Sequence, residues 1–288
     1  MIFQEVSFQY FSVWDFIESG LYFMIVGFFL LLCFYFLFIR YRTSKKLYWL
    51  FFSLFFICLC IGRVFFIIYN GYAPELYNGT NELEVVAYLM INYRFATFFT
   101  WMGTACAVGV LGILLFPPDT DLETEQKVDQ SKTTKNWLKN KDNVKIVVRI
   151  ILIIIPIIIG ILALTLSDEL FMDPNFVDDY NLSINLITVD IGTWTYPLGR
   201  FILNFIFQPL FLALIPVIFI YLATKTFGVL RKSYALNAVG LLLYYTARIL
   251  HGALIVADYP HFRATMPPLI ILLALVILVI ANNYEQLK

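Results

Sequence analysis

The sequence predicts an all-α membrane protein of seven transmembrane helices, with the amino terminus outside and the carboxyl terminus inside. Three observations carry that expectation. Of the 288 residues, 61% are hydrophobic and only 14% charged, with a mean hydropathy of +0.80, which leaves too little polar surface to coat a water-soluble globule. Seven stretches are long and apolar enough to cross a hydrocarbon core of ~30 Å as helices. The basic residues also gather in alternate loops, as the positive-inside rule requires.

Taken in order, the first span covers residues 17–39 and closes on Arg40 and Arg42. The second, 47–68, follows Lys45 and Lys46 and carries Arg63. The third, 85–115, is longer than a perpendicular crossing needs and stops before Pro117 and Pro118. The fourth, 147–166, is almost unbroken Ile, Leu, Val and Ala apart from Arg149, Pro156 and Gly160. A long fifth span, 194–223, contains Pro209 and Pro216. The sixth, 233–257, is the most polar, and the seventh, 266–281, opens on Met266, Pro267 and Pro268. The fourth and seventh read as lipid-facing; polar residues concentrate in the third, fifth and sixth, with fewer in the second.

Loop charge sets the orientation. Arg40, Arg42, Lys45 and Lys46, the lysines from Lys127 to Lys145, and Lys225, Arg231 and Lys232 fall in loops that read as cytoplasmic. The opposite side carries Glu5, Asp15, Glu75, Glu82, Glu84 and an acidic loop at 167–193, without lysine. Both sequons, at Asn78 and Asn181, fall on that side. The first sixteen residues lack the basic segment and cleavage site of a signal peptide, so the first helix reads as retained. An integral protein of the plasma membrane is expected, in a single domain spanning 1–288.

Residues 117–146 read as a flexible cytoplasmic loop, acidic first and then lysine-rich. At about thirty residues it is shorter than the ~50 of an independent domain, so a signal passed inward needs a cytoplasmic protein partner. Within the outer loop, 182–191 has the branched, mixed composition of a short strand or hairpin that could lie over the outer mouth. A weak duplication also shows: Arg63 lies 17 residues past Lys46 and Arg248 lies 16 past Lys232, while Pro74 and Pro260 each lie 28 past those lysines. The spans thus read as a 3+1+3 parallel repeat, or as convergence under membrane constraints.

The chemistry-bearing residues form seams. In the sixth span Asn237, Tyr244, Arg248, His251 and Asp258 share one helix face; in the fifth, Tyr196, Arg200, Asn204 and Gln208 recur every four residues. The third offers Arg94, Thr97, Trp101 and Thr104. Helix rise puts Arg63 and Arg248 roughly 24 Å beyond their inner lysines, at one depth. Each guanidinium presents a planar fork of donors suited to carboxylate, phosphate or sulfate. The ligand-binding set is therefore expected to be Arg63, Arg94, Arg200, Arg248, His251, Tyr196, Tyr244 and Asn204, around an outward-facing cavity. The competing reading pairs the arginines, Arg263 among them, with Glu18, Glu84, Asp190 and Asp258 or with headgroups.

Several classes are excluded by what the spans hold. The seventh contains no lysine for a retinal Schiff base, and two histidines, His251 and His261, cannot build a three-histidine zinc site. Nucleophile-elbow, zincin and Walker motifs are missing, as are the sequence elements of rhodopsin-like receptors in the third and seventh spans. The four cysteines, Cys33, Cys58, Cys60 and Cys106, fall inside spans and read as packing residues. Balanced charge, twenty basic against twenty acidic residues, points to no nucleic acid.

The expected role is a receptor or sensor in the lipid bilayer that binds a small anionic ligand or lipid headgroup and signals to a cytoplasmic partner, with no cofactor and no metal. A transporter and a structural subunit of a membrane complex are the rivals, and a lipid enzyme the weakest. For the orientation, we expect Thr80→Cys and Asp179→Cys to react with an impermeant maleimide on intact cells and Ser131→Cys to stay unlabelled. The reverse pattern would invert the topology.

Overall fold

A computed structural model of the chain describes residues 12–72, 82–115, 132–179, 182–191, 194–256 and 259–283. These residues are overwhelmingly helical, and six of their helices are long and apolar enough to cross a membrane. Helix α1 is Val13–Ser44; α2 is Leu47–Ile67, prolonged by a π-helical turn, Ile68–Tyr72; α3 is Glu82–Leu115; and α4 is Lys132–Thr165. Two short helices, α5 (Asp168–Phe171) and α6 (Pro174–Asp179), lead to an antiparallel pair, β1 (Thr188–Ile191) and β2 (Trp194–Pro197). Then come α7 (Leu198–Lys225), α8 (Gly228–Val256) and α9 (Pro260–Asn283).

Helix α8 is not among the six, although its 29 residues would suffice in length. Along it run Asn237, Tyr244, Arg248 and His251, a polar seam in an otherwise apolar helix.

Local chemistry explains the boundaries. Ser12 caps α1 through a reciprocal box, its hydroxyl accepting from the Asp15 amide at 3.2 Å while Asp15 Oδ2 accepts from the Ser12 amide at 3.1 Å. The α1–α2 corner turns at Lys45, whose φ of 54° is left-handed. Helix α7 begins at Leu198 rather than 194, because residues 194–197 pair as β2 with β1. Its first turns are π-helical over Phe201–Phe207, immediately before Gln208 and Pro209. Pro209 has no N–H to give the carbonyl four residues back, and a wider helical turn absorbs that loss.

Two expectations are corrected. Residues 132–146 are helical, as the first turns of α4, rather than a flexible loop; 117–131 lie outside the described residues. No Pro or Gly interrupts 132–155, so the apolar helix continues through 132–146 without a new nucleation step. Helix α9 is not a lipid-facing rod either. It packs along α8 and closes onto α1, burying Ala264, Pro267, Pro268, Ile271, Ala274, Leu275, Leu278 and Ala281. Small residues allow the approach: a Cβ on Gly240 would come within 2.9 Å of Leu278 and 3.2 Å of the Ala274 carbonyl.

Helices α1, α2 and α3 pack in sequence, as do α7, α8 and α9; α9 meets α1 and α3 meets α7, so the six form a closed circuit. Phe29, Phe36, Phe56, Trp101, Ile215 and Phe219 fill its middle. Helix α4 stands outside the circuit against α3 and exposes Ile150, Ile151, Ile154, Ile155, Ile158, Ile161 and Leu162. A small apolar cavity of about 10 Å³ lies among Phe52, Phe55, Ala107, Val110, Ile215, Phe219 and Leu241.

Candidate functional site

The predicted arginines separate into three environments. The first is structural. Arg94, on α3, donates from Nη1 to the carbonyls of Ala163 and Leu164 at 3.2 Å each and from Nη2 to Asp168 Oδ1 at 2.7 Å. Those carbonyls belong to the last turn of α4, where no intrahelical donor remains, so the guanidinium caps α4 and complements its dipole. Arg200, 3% exposed at the start of α7, donates from Nε to the Phe171 carbonyl and from Nη1 to Asp173 Oδ2 at 3.2 Å. Its guanidinium lies 3.8 Å from the centre of the Tyr93 ring.

Together Arg94 and Arg200 clamp the segment around α5, from Asp168 to Asp173, onto the bundle. Phe171, fully buried, sits between the two guanidiniums and packs on Tyr93 at 5.5 Å. Asn204 donates to the Tyr93 hydroxyl at 2.9 Å, and Tyr196, on β2, packs edge-on to Phe205 at 5.1 Å. Burial pushes the Tyr196 phenol up, so it stays protonated. Gly199 is required at this corner, because a Cβ there would come within 2.6 Å of the Leu170 carbonyl. Of the predicted set, Arg94, Arg200, Tyr196 and Asn204 thus come together around the outer loop.

The second environment joins the start of α1, the end of α8 and the start of α9. Arg263 lies in the first turn of α9 rather than in a loop, and its Nη2 donates to Asp15 Oδ1 at 2.7 Å. Its Nε lies 3.2 Å from Glu18 Oε2, while Glu18 Oε1 meets His251 Nε2 at 2.7 Å. Glu18 is 7% exposed, and this buried carboxylate is met by the Arg263 guanidinium and the His251 ring. His251 is therefore a partner of Glu18.

The third environment is donor-rich. Arg63, from α2, rests on the Tyr22 ring at 4.2 Å and has no carboxylate partner among the described residues. Arg248, from α8, meets the Gln208 side-chain oxygen, 3.2 Å from each terminal nitrogen once the amide is oriented to accept, and has no carboxylate partner among the described residues. Tyr22 feels both arginines, Glu18 and Tyr244, and Tyr245 feels Arg248 and Tyr244, which puts the group in one electrostatic neighbourhood. Tyr22, Tyr244 and Tyr245 are 4%, 3% and 5% exposed, yet their hydroxyls have no protein partner among the described residues. Two guanidiniums and three phenols with donors to spare can wrap an anion.

Tyr22, Tyr245 and Gln208 were absent from the predicted set. The available signal was Glu18 followed four residues later by Tyr22, which puts a carboxylate and a phenol on one face of α1. A further polar cluster at the other end also escaped sequence reasoning. Arg40 donates to the Tyr35 hydroxyl, the Asn282 carbonyl and Asn283 Oδ1 at 2.8 Å each, and Asn282 donates to Asn237 Oδ1 at 3.0 Å. Ser233 donates to the Ala281 carbonyl at 2.7 Å, so α1, α8 and α9 are tied at the basic end. Asp258 lies outside the described residues, and among those described no group of three His, Cys, Asp or Glu could hold a metal.

Comparisons with protein-family models, with curated proteins and with solved structures find no match to this chain. The two arginine classes are separable by stability. Removing one partner of a buried pair costs ~3–5 kcal/mol, so Arg200→Gln should lower the unfolding temperature sharply while Arg63→Gln leaves it nearly unchanged. Equal losses in thermal unfolding of the two purified variants would contradict the division.

Proposed function

We propose that this chain is a receptor- or sensor-like membrane protein that takes a small anion or an anionic lipid headgroup at Arg63 and Arg248 and relays a helix shift to a cytoplasmic partner. The observation that carries the reading is the gathering of donors around Tyr22: half-buried Arg63 without a carboxylate among the described residues, half-buried Arg248 on a neutral amide, and the phenols of Tyr22, Tyr244 and Tyr245. Half-buried donors that no carboxylate engages are open to a ligand or to water. Arg94, Arg200 and Arg263 already have carboxylates and belong to the scaffold.

In this reading α8 also crosses, as the sixth of seven spans, held between α7 and α9, with the acidic loops outside and the lysines inside. A ligand drawn between α1, α2 and α8 would pull on Arg248 and on Gln208, which stands at the junction of the π-helical and α-helical parts of α7. That junction is where a change in helical winding needs the least rearrangement, and α7 runs from it to Lys225 on the basic side.

The same junction favours a second reading as a transporter of small anions, together with the matching packing of α1–α2–α3 and α7–α8–α9 expected of a 3+1+3 repeat. Flux separates the two. Purified protein should gain several degrees of melting temperature from sulfate, phosphate or a small carboxylate, and Arg63→Gln and Arg248→Gln should remove that gain while remaining folded. In proteoliposomes it should move none of these anions. Uptake that disappears with Gln208→Leu or Asn237→Leu would establish the transporter, and variants that keep the full melting shift would remove the arginines from the site.

A further inference from the structure

A second anion site, independent of the outer one, is formed where α4 leans on α3 at the basic end. Arg149 is half-buried there, its stem lying over Gly112 with Cγ 3.4 Å from where a Cβ would stand on that residue. Its Nε is buried and has no hydrogen-bond partner, and no carboxylate among the described residues pairs with the guanidinium. Arg149 is only half-buried, so the part of its guanidinium that reaches the surface between the two helices can take an acceptor from outside the protein.

Depth and surroundings identify that acceptor. Arg149 lies sixteen residues from Thr165, the last residue of α4, about 24 Å at 1.5 Å per residue. With the capped end of α4 at one boundary, a ~30 Å hydrocarbon core brings Arg149 to the level of the opposite headgroups. The outer face of α4 is a run of exposed isoleucines, so lipid chains rather than protein border the groove. Beyond Arg149 the helix continues to Lys132 and carries Lys132, Lys135, Lys139, Lys141 and Lys145, a basic stalk that attracts an anionic surface.

We infer that the α3–α4 groove at Arg149 and Gly112 holds the phosphate of an anionic phospholipid from the leaflet on the lysine-bearing side. The fork of Arg149 supplies paired donors to the phosphate oxygens, and the isoleucine face of α4 accommodates the acyl chains. Lysines on the stalk add attraction without fixing the headgroup.

The test is lipid retention on the full chain, purified in detergent and measured by native mass spectrometry against matched phosphatidylglycerol and phosphatidylcholine. The wild-type protein should keep phosphatidylglycerol in preference to phosphatidylcholine. Arg149→Gln should weaken that retention about tenfold, the scale of one charge-assisted hydrogen bond. Changing Lys132, Lys135 and Lys139 together to Gln should reduce only the salt dependence, and added inorganic phosphate should not displace the lipid. Equal retention of the two lipids, an undiminished preference in Arg149→Gln, or full displacement by phosphate would each overturn the assignment. Should Arg149→Gln not fold, Arg149→Lys, which keeps the charge and loses the fork, decides by the same readout: a weakened preference supports the site and an unchanged one removes it.

Discussion

A guanidinium inside a helix bundle must have acceptors, since a charge left alone in a low-dielectric interior is among the most expensive things a fold can contain. Arg200 meets that demand with a carbonyl, a carboxylate and an aromatic face, and the outer half of this molecule is arranged around it. The Phe171 carbonyl it binds fixes α5, and Phe171 in turn plugs the bundle beneath the outer loop. Arg94 adds the same service to the end of α4. An acidic segment is thereby held against the bundle by ion pairs.

Once those pairs are made, what remains stands out. Asp168, Asp173, Asp15 and Glu18 are committed to Arg94, Arg200 and Arg263, with His251 sharing Glu18. Arg63 and Arg248 are left with a tyrosine ring and a neutral amide. The asymmetry is chemical rather than positional, because all five arginines lie toward the same end. It makes the Tyr22 neighbourhood the anion-binding candidate and the Tyr93 neighbourhood its support. At the basic end, Arg40, Tyr35, Asn237, Asn282 and Asn283 tie α1, α8 and α9, so motion started near Arg248 has a fixed frame to work against.

The helices were legible because hydropathy and loop charge are properties of long windows. Lys45, Lys46 and Lys225 mark helix ends in the sequence, and α2 and α7 begin or end beside them, whereas Lys232 lies in the second turn of α8. Pairing was not legible, since it depends on which helix a residue meets. Arg200 and Arg248 look alike in a seam, yet one faces Asp173 and the other Gln208. Helix α9 misled for a related reason: its alanines and prolines read as featureless apolar sequence, whereas small side chains are what let α8 come close. The helical start of α4 was hidden by its lysines, which resemble a tether in composition although nothing there breaks a helix.

The division of the arginines is most directly tested by locating an anion in the protein itself. We propose an anomalous-difference map from crystals grown with selenate, a sulfate analogue that can be placed without ambiguity. The account predicts a peak within hydrogen-bonding distance of Arg63 and Arg248, beside the Tyr22 hydroxyl, and none at Arg94 or Arg200. Selenate bound at Arg200 in place of Asp173, or carboxylates paired with Arg63 and Arg248 and no anion between them, would contradict it.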